Sequence, residues 1–232
     1  ITGLRRIDEV LRYLAIGEGD RLGHAMCLGV DPERWARRSG RLQVSREDRL
    51  FDLIWERQCF LDGLLGGESN RLALIEDRIR EHGRILFDKK DVDPQALAQF
   101  VIRLHQGSEL ERLNFPYAPR AERSTDDLLS SYLTDPEVFR RGRDLIELDP
   151  ELEIGAMKGL QEMMRRRINR LGIVVEVNPS SNLLIGNLGS MEGHPILRLS
   201  PPGLRADRDG SCSVPVCLGS DNPIIFSCNL PE

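Results

Sequence analysis

The cysteine pattern offers no disulfide framework and no metal knuckle. Five cysteines, an odd number, lie scattered at Cys27, Cys59, Cys212, Cys217 and Cys228 with no C-x-x-C spacing. A reducing cytoplasm is the expected compartment. An excess of positive charge is also missing: the formal net charge is −5, which argues against a duplex DNA binder that neutralises many phosphates. No apolar run approaches the length of a membrane span, so no membrane partner is expected. Aromatic residues are few, and the chain has no low-complexity tract or internal repeat. The Gly-x-Ser-x-Gly elbow of serine hydrolases is absent. The stretch Gly186 to Gly189 has too few glycines and no lysine for a phosphate-binding P-loop.

What remains suffices for a globular domain: 232 residues, 40% apolar and 30% charged, can bury a sizeable core. The chain reads in three zones. Residues 1–33 hold a helix with apolar positions Leu4, Ile7, Val10, Leu11 and Leu14, then a short strand around Leu22. Residues 34–148 read almost entirely as helices. Ser45 and Asp48 open one with the face Phe51, Ile54, Trp55, Phe60 and Leu61. Leu72, Leu74, Ile75, Ile79 and Ile85 mark a second, and Asp93-Pro94 starts a third that reaches about His105. Asn114 to Pro119 reads as an extended loop, because proline disfavours helix at the residue before it. Further helices are expected over 125–133 and 136–148. Residues 149–232 return to alternation: a helix over 151–171, a strand over 173–177, an Asn/Ser/Gly-rich loop, a turn-rich segment over 200–213 and a last strand over 214–218.

The chemistry-bearing residues follow strands. The apolar run Val214 to Leu218 stops at Gly219-Ser220-Asp221-Asn222-Pro223, which presents Asp221 at the carboxyl end of a buried parallel strand. The strand around Leu22 is followed in the same way by Gly23-His24. Local sequence leaves two roles open for each residue. His24 is either a core or strand-capping histidine or a group at an active-site mouth, and Asp221 is either the N-cap of a helix beginning at Pro223 or a ligand. Glu176 reads as structural, paired with a nearby Arg or backbone amide. His194 reads as a loop anchor or cap. His82 and His105, on helices with no second ligand at i+4, read as solvated.

Four motifs in order resemble the adenosine deaminase branch of the metal-dependent amidohydrolases. They are Arg21-Leu22-Gly23-His24, Glu176-Val177-Asn178-Pro179-Ser180-Ser181-Asn182 with Asn178 where cysteine is usual, His194-Pro195-Ile196, and Ser220-Asp221-Asn222-Pro223. The resemblance covers residues 1–33 and 150–232 and implies an α/β fold: the C-terminal part, strands six to eight, of a (β/α)₈ TIM barrel with a large helical insertion at 34–148. The family's first-strand H-x-H pair, fifth-strand histidine and catalytic glutamate have no counterpart here. The chain is therefore expected to be a fragment that needs a missing N-terminal barrel half and is inactive without it.

The resemblance also implies a reaction, zinc-dependent hydrolytic deamination of adenosine or an adenine nucleotide to the inosine product. Within it, His24 and Asp221 are catalytic: Asp221 is the Zn²⁺ ligand and His24 positions the zinc-activated water without binding the metal. Asn222 replaces an aspartate that contacts N7 of the purine, and its amide is a permanent donor to that acceptor. The size of the insertion is reminiscent of the deaminase component of the RADAR antiphage system, which works beside an ATPase. An ATPase partner and a homo-oligomer are accordingly expected. The alternative is a catalytically inactive barrel that serves as an assembly scaffold.

Overall fold

A computed structural model describes residues 1–66, 69–106, 120–186, 188–201 and 213–220. The fold is mixed α/β, dominated by helices with two small sheets. Contacts divide the chain into two units. One comprises Ile1, Gly3–Gly40 and Pro150–Glu232, and the other Thr2 and Arg41–Asp149. No helix among the described residues is long and apolar enough to cross a membrane.

The first unit opens with α1 (Thr2–Tyr13), followed by β1 (Arg21–Gly23), a 3₁₀ turn at Met26–Leu28 and α2 (Pro32–Ser39). Asp31 starts α2 in the expected manner: its carboxylate accepts the Arg34 amide at 2.9 Å and Pro32 occupies the first turn, where a missing N–H costs nothing. The chain returns to this unit through a 3₁₀ turn at Pro150–Glu153 and α8 (Ile154–Arg170). It continues with β4 (Val174–Val177), α9 (Pro179–Ile185), a 3₁₀ turn at Met191–Gly193, α10 (Ile196–Leu199) and β5 (Val216–Leu218). Strands β1, β4 and β5 form a parallel sheet in that order, with Leu22 opposite Val175 and Val175 opposite Val216. Ile173, Val175 and Val177 are buried, as are Met157, Leu160, Met164 and Ile168 of α8. Along β4, Val175 and Val177 are buried while Val174 and Glu176 are half-buried, the alternation of a strand with one face turned to the core.

The second unit contains β2 (Leu42–Ser45), α3 (Arg46–Leu61), α4 (Ser69–Phe87), α5 (Pro94–Gln106), α6 (Arg120–Thr134), α7 (Pro136–Arg143) and β3 (Leu145–Leu148). Ser45 caps α3 by accepting the Asp48 amide at 3.1 Å. The helices share one core, in which Leu50, Phe51 and Ile54 of α3 meet Ile79 and Leu86 of α4, Leu97 and Phe100 of α5, and Leu128 of α6. Phe100 is its hub: the rings of Phe87 and Tyr132 lie edge-on at 5.6 and 5.2 Å between centroids. Full burial of each such side chain stabilises the unit by about 1.5–3 kcal/mol.

Four sequence expectations need correction. Residues 145–148 are not the end of a helix but the strand β3, paired antiparallel with β2, which the helical reading of 34–148 had overlooked. Tertiary pairing decides here, because Leu145-Ile146-Glu147-Leu148 fits either period over so short a length. The segment after β4 is the helix α9 instead of a loop, started by Pro179 and closed near Gly186. His82 is not solvated: its Nδ1 is buried without a hydrogen-bond partner among the described residues, and burial reinforced by Arg49, Arg46 and Arg78 pushes its pKa down to about 4. His105 is half-buried on α5, its Nδ1 2.8 Å from the Val101 carbonyl oxygen.

Candidate functional site

The carboxyl ends of the three parallel strands gather the polar groups of the first unit. β1 ends at Gly23, and His24 follows with φ 53° in the left-handed region. A non-glycine residue there costs of order 1 kcal/mol and persists only where its surroundings fix it. Two bonds do so. The His24 amide extends the ladder by donating to the Glu176 carbonyl at 3.3 Å, and the His24 carbonyl accepts the Met26 amide at 2.7 Å. The result turns the chain sharply off the sheet while the imidazole stays exposed.

Behind this turn, α8 supplies donors to the bare carbonyls of the loop. Gln161 Nε2 donates to Cys27 O and Val30 O, both at 2.8 Å, and Arg165 donates to Leu28 O at 2.8 Å. Gln161 and Arg165 are buried, and their bonds tie the half-buried Cys27 and Val30 and the buried Leu28 to α8. Cys27 lies in the same loop, and burial raises its thiol pKa to about 11. At neutral pH it is an inert thiol.

At the end of β4, Asn178 is the N-cap position of α9, but its side chain makes no capping bond. Instead Asn182, four residues on and fully buried, accepts the Asn178 amide on Oδ1 at 3.0 Å. That bond sets the amide orientation and presents Nδ2 to His24 Nδ1 at 3.1 Å. An amide nitrogen only donates, so Nδ1 of a neutral His24 is the acceptor and Nε2 carries the proton. Asn178 Oδ1, also buried, has no hydrogen-bond partner among the described residues. It faces the end of β5, where a Cβ on Gly219 would collide with it. The Gly219 amide donates to the Val177 carbonyl at 2.9 Å and draws the two strand ends together. Glu176 is half-buried and lies 3.7 Å from the Arg21 guanidinium.

His194 is almost completely buried and anchors its own turn, accepting the Ile196 amide on Nδ1 at 3.1 Å. Its Nε2 has no partner among the described residues, and burial lowers its pKa.

Of the residues singled out in the sequence, His24 thus sits at the mouth of the sheet, while Asp221 and Asn222 lie outside the described residues. Among the described residues no three His, Cys, Asp or Glu side chains come close enough to hold a metal ion. Asn182 is the residue sequence reasoning passed over. Its signal was the spacing Asn178-x-x-x-Asn182 across a proline-started helix, which brings the second amide back to the first turn. No family model matches this chain, and no curated protein matches it significantly.

Proposed function

We propose that this chain is the C-terminal part, strands six to eight, of a (β/α)₈ barrel that hydrolytically deaminates adenosine or an adenine nucleotide. The observation that carries this reading is the set of side chains at the carboxyl ends of β1, β4 and β5, parallel neighbours in that order, with His24 held by Asn182 in the Nε2–H tautomer. Active sites of such barrels lie on that face. A histidine whose Nε2 bears the proton is a hydrogen-bond donor at that atom, not a metal ligand. Such a donor suits a group that orients a nucleophilic water and stabilises the charge that develops as it adds to the purine ring.

Zinc is the cofactor of this reading, and the ion supplies Lewis-acid activation of water. The described side chains alone do not make up a set that holds it. Asp221 is the one ligand this chain would contribute, and the others would come from the barrel half it does not contain. Asn222, beside it, would donate its amide to N7 of the base at any pH, having no titrating group. A cytoplasmic setting accords with Cys27 and Cys217 as free thiols. An assembly role beside an ATPase is a further part of the proposal.

The test is ammonia release from adenosine and adenosine monophosphate by the complete protein, with its zinc content measured in parallel. Asp221→Ala should lower zinc and deamination together, whereas His24→Ala should cut turnover by about 100-fold or more and leave zinc bound. Equal zinc loss in both variants would make His24 a ligand. A complete protein that binds no zinc and releases no ammonia would favour the inactive scaffold.

A further inference from the structure

We propose that the cleft between α2 and residues Gly186 and 188–193 binds a nucleoside monophosphate, its phosphate held by Arg34 and Arg38 and its base against Trp35. The cleft has a volume of about 190 Å³, and its lining includes Asp31, Arg34, Trp35, Arg38, Ser39 and Gly193. Arg34 and Arg38 are one helical turn apart on the same face, the spacing that lets two side chains converge on one ligand. Neither guanidinium forms an ion pair among the described residues. Asp31, the one carboxylate among the described lining residues, is committed elsewhere: it caps α2 through the Arg34 amide at 2.9 Å and lies 3.7 Å from Arg198.

The guanidiniums are also held in place before any ligand arrives. Arg38 Nη1 donates to the Leu188 carbonyl, and Arg34 Nη2 lies 3.5 Å from Ser190 Oγ. Each uses one edge of its planar group this way and retains further N–H donors. Two glycines permit the approach. Gly189, at φ 74°, packs against the Arg38 guanidinium, and a Cβ on Gly193 would overlap that of Arg34. Paired, pre-oriented guanidiniums match the geometry of phosphate oxygens. A half-buried indole on the same wall offers a flat apolar face of the kind on which nucleobases stack.

Uridine 5′-monophosphate is the probe, since it has neither a purine nor a reactive adenine amino group and so tests this cleft independently of deamination. Isothermal titration of the full chain should show saturable binding of the nucleotide, about tenfold weaker binding of inorganic phosphate, and none of uridine. Arg34→Gln should abolish nucleotide binding, and Trp35→Leu should reduce it to the level of phosphate. Because Arg34 also supports its loop, Ser39→Asp is the second variant. It adds a negative charge at the cleft and removes no hydrogen bond of either arginine, and should weaken the nucleotide about tenfold with an unchanged melting temperature. His24→Ala should bind as the wild type does. Absence of saturable binding, or equal affinity in wild type, Arg34→Gln and Ser39→Asp, would overturn the assignment.

Discussion

The side-chain amide of Asn182 lies 3.1 Å from Nδ1 of His24 and fixes which nitrogen of that ring carries the proton. The orientation is not arbitrary, because the other end of the same amide is already occupied by the Asn178 N–H. Replacement by aspartate keeps the shape and removes the donor, so in Asn182→Asp His24 Nδ1 should gain a proton. Long-range ¹H–¹⁵N correlation spectra report this directly: an Nε2–H ring in the wild type and a protonated Nδ1 in the variant. Identical spectra would mean that the amide does not control the tautomer. Asn182→Ala, which also strands the buried Asn178 N–H, should cost about 1–3 kcal/mol in urea unfolding.

Gly219 is required by volume at the end of β5. A methyl group there meets Asn178 Oδ1, and Asn178 is itself buried at the end of β4 with little room to retreat. Gly219→Ala should destabilise the protein by about 1–3 kcal/mol, and adding Asn178→Ser should recover much of the loss. Additive effects in the double-mutant cycle would show that the two residues do not touch.

Gln161 serves two carbonyls at once, those of Cys27 and Val30. Gln161→Leu conserves apolar volume but leaves both without that donor, and should cost about 2 kcal/mol. Amide hydrogen exchange should rise in the loop 26–30 behind His24 before it rises in β4. Uniform exchange across both would locate the anchor elsewhere.

His82 makes the second unit sensitive to acid. Its native pKa of about 4 lies below the ordinary value of 6.5, so between those limits the unfolded chain binds a proton that the folded one refuses. The stability it contributes is complete above about pH 6.5 and is lost as the pH falls toward 4. Allowing for residual exposure, the loss is about 2 kcal/mol. His194, also lowered by burial, acts with the same sign. Urea midpoints followed by circular dichroism should therefore fall from pH 7 to pH 4.5, and His82→Gln should flatten that slope. A slope unchanged in the variant would assign the effect to other groups.

Much of the local structure could be read from the residues in order. Asp31-Pro32 and Asp135-Pro136 start α2 and α7 because an aspartate acceptor followed by proline satisfies a helix's first turn without help from elsewhere. Val174 to Val177 and Val216 to Leu218 are strands because valine-rich segments, interrupted only by Glu176, suit a half-buried pleat. These signals are short in range and so are present in the sequence itself.

Other features depended on partners far along the chain. Leu145 to Leu148 became a strand because Leu42 to Ser45 offered its backbone a ladder, which outweighed a helical reading of the same four residues. His82 carries an ordinary surface signature on a charged helix, and only packing removed its water. Asn182 and His24 stand 158 positions apart, yet the side-chain amide of the one reaches Nδ1 of the other. Sequence alone determined where helices with an Asp-Pro start begin and which residues carry titratable or amide groups. Tertiary structure decided which of those groups meet, because hydrogen bonds and desolvation act over a few ångströms of space, whatever the distance along the chain.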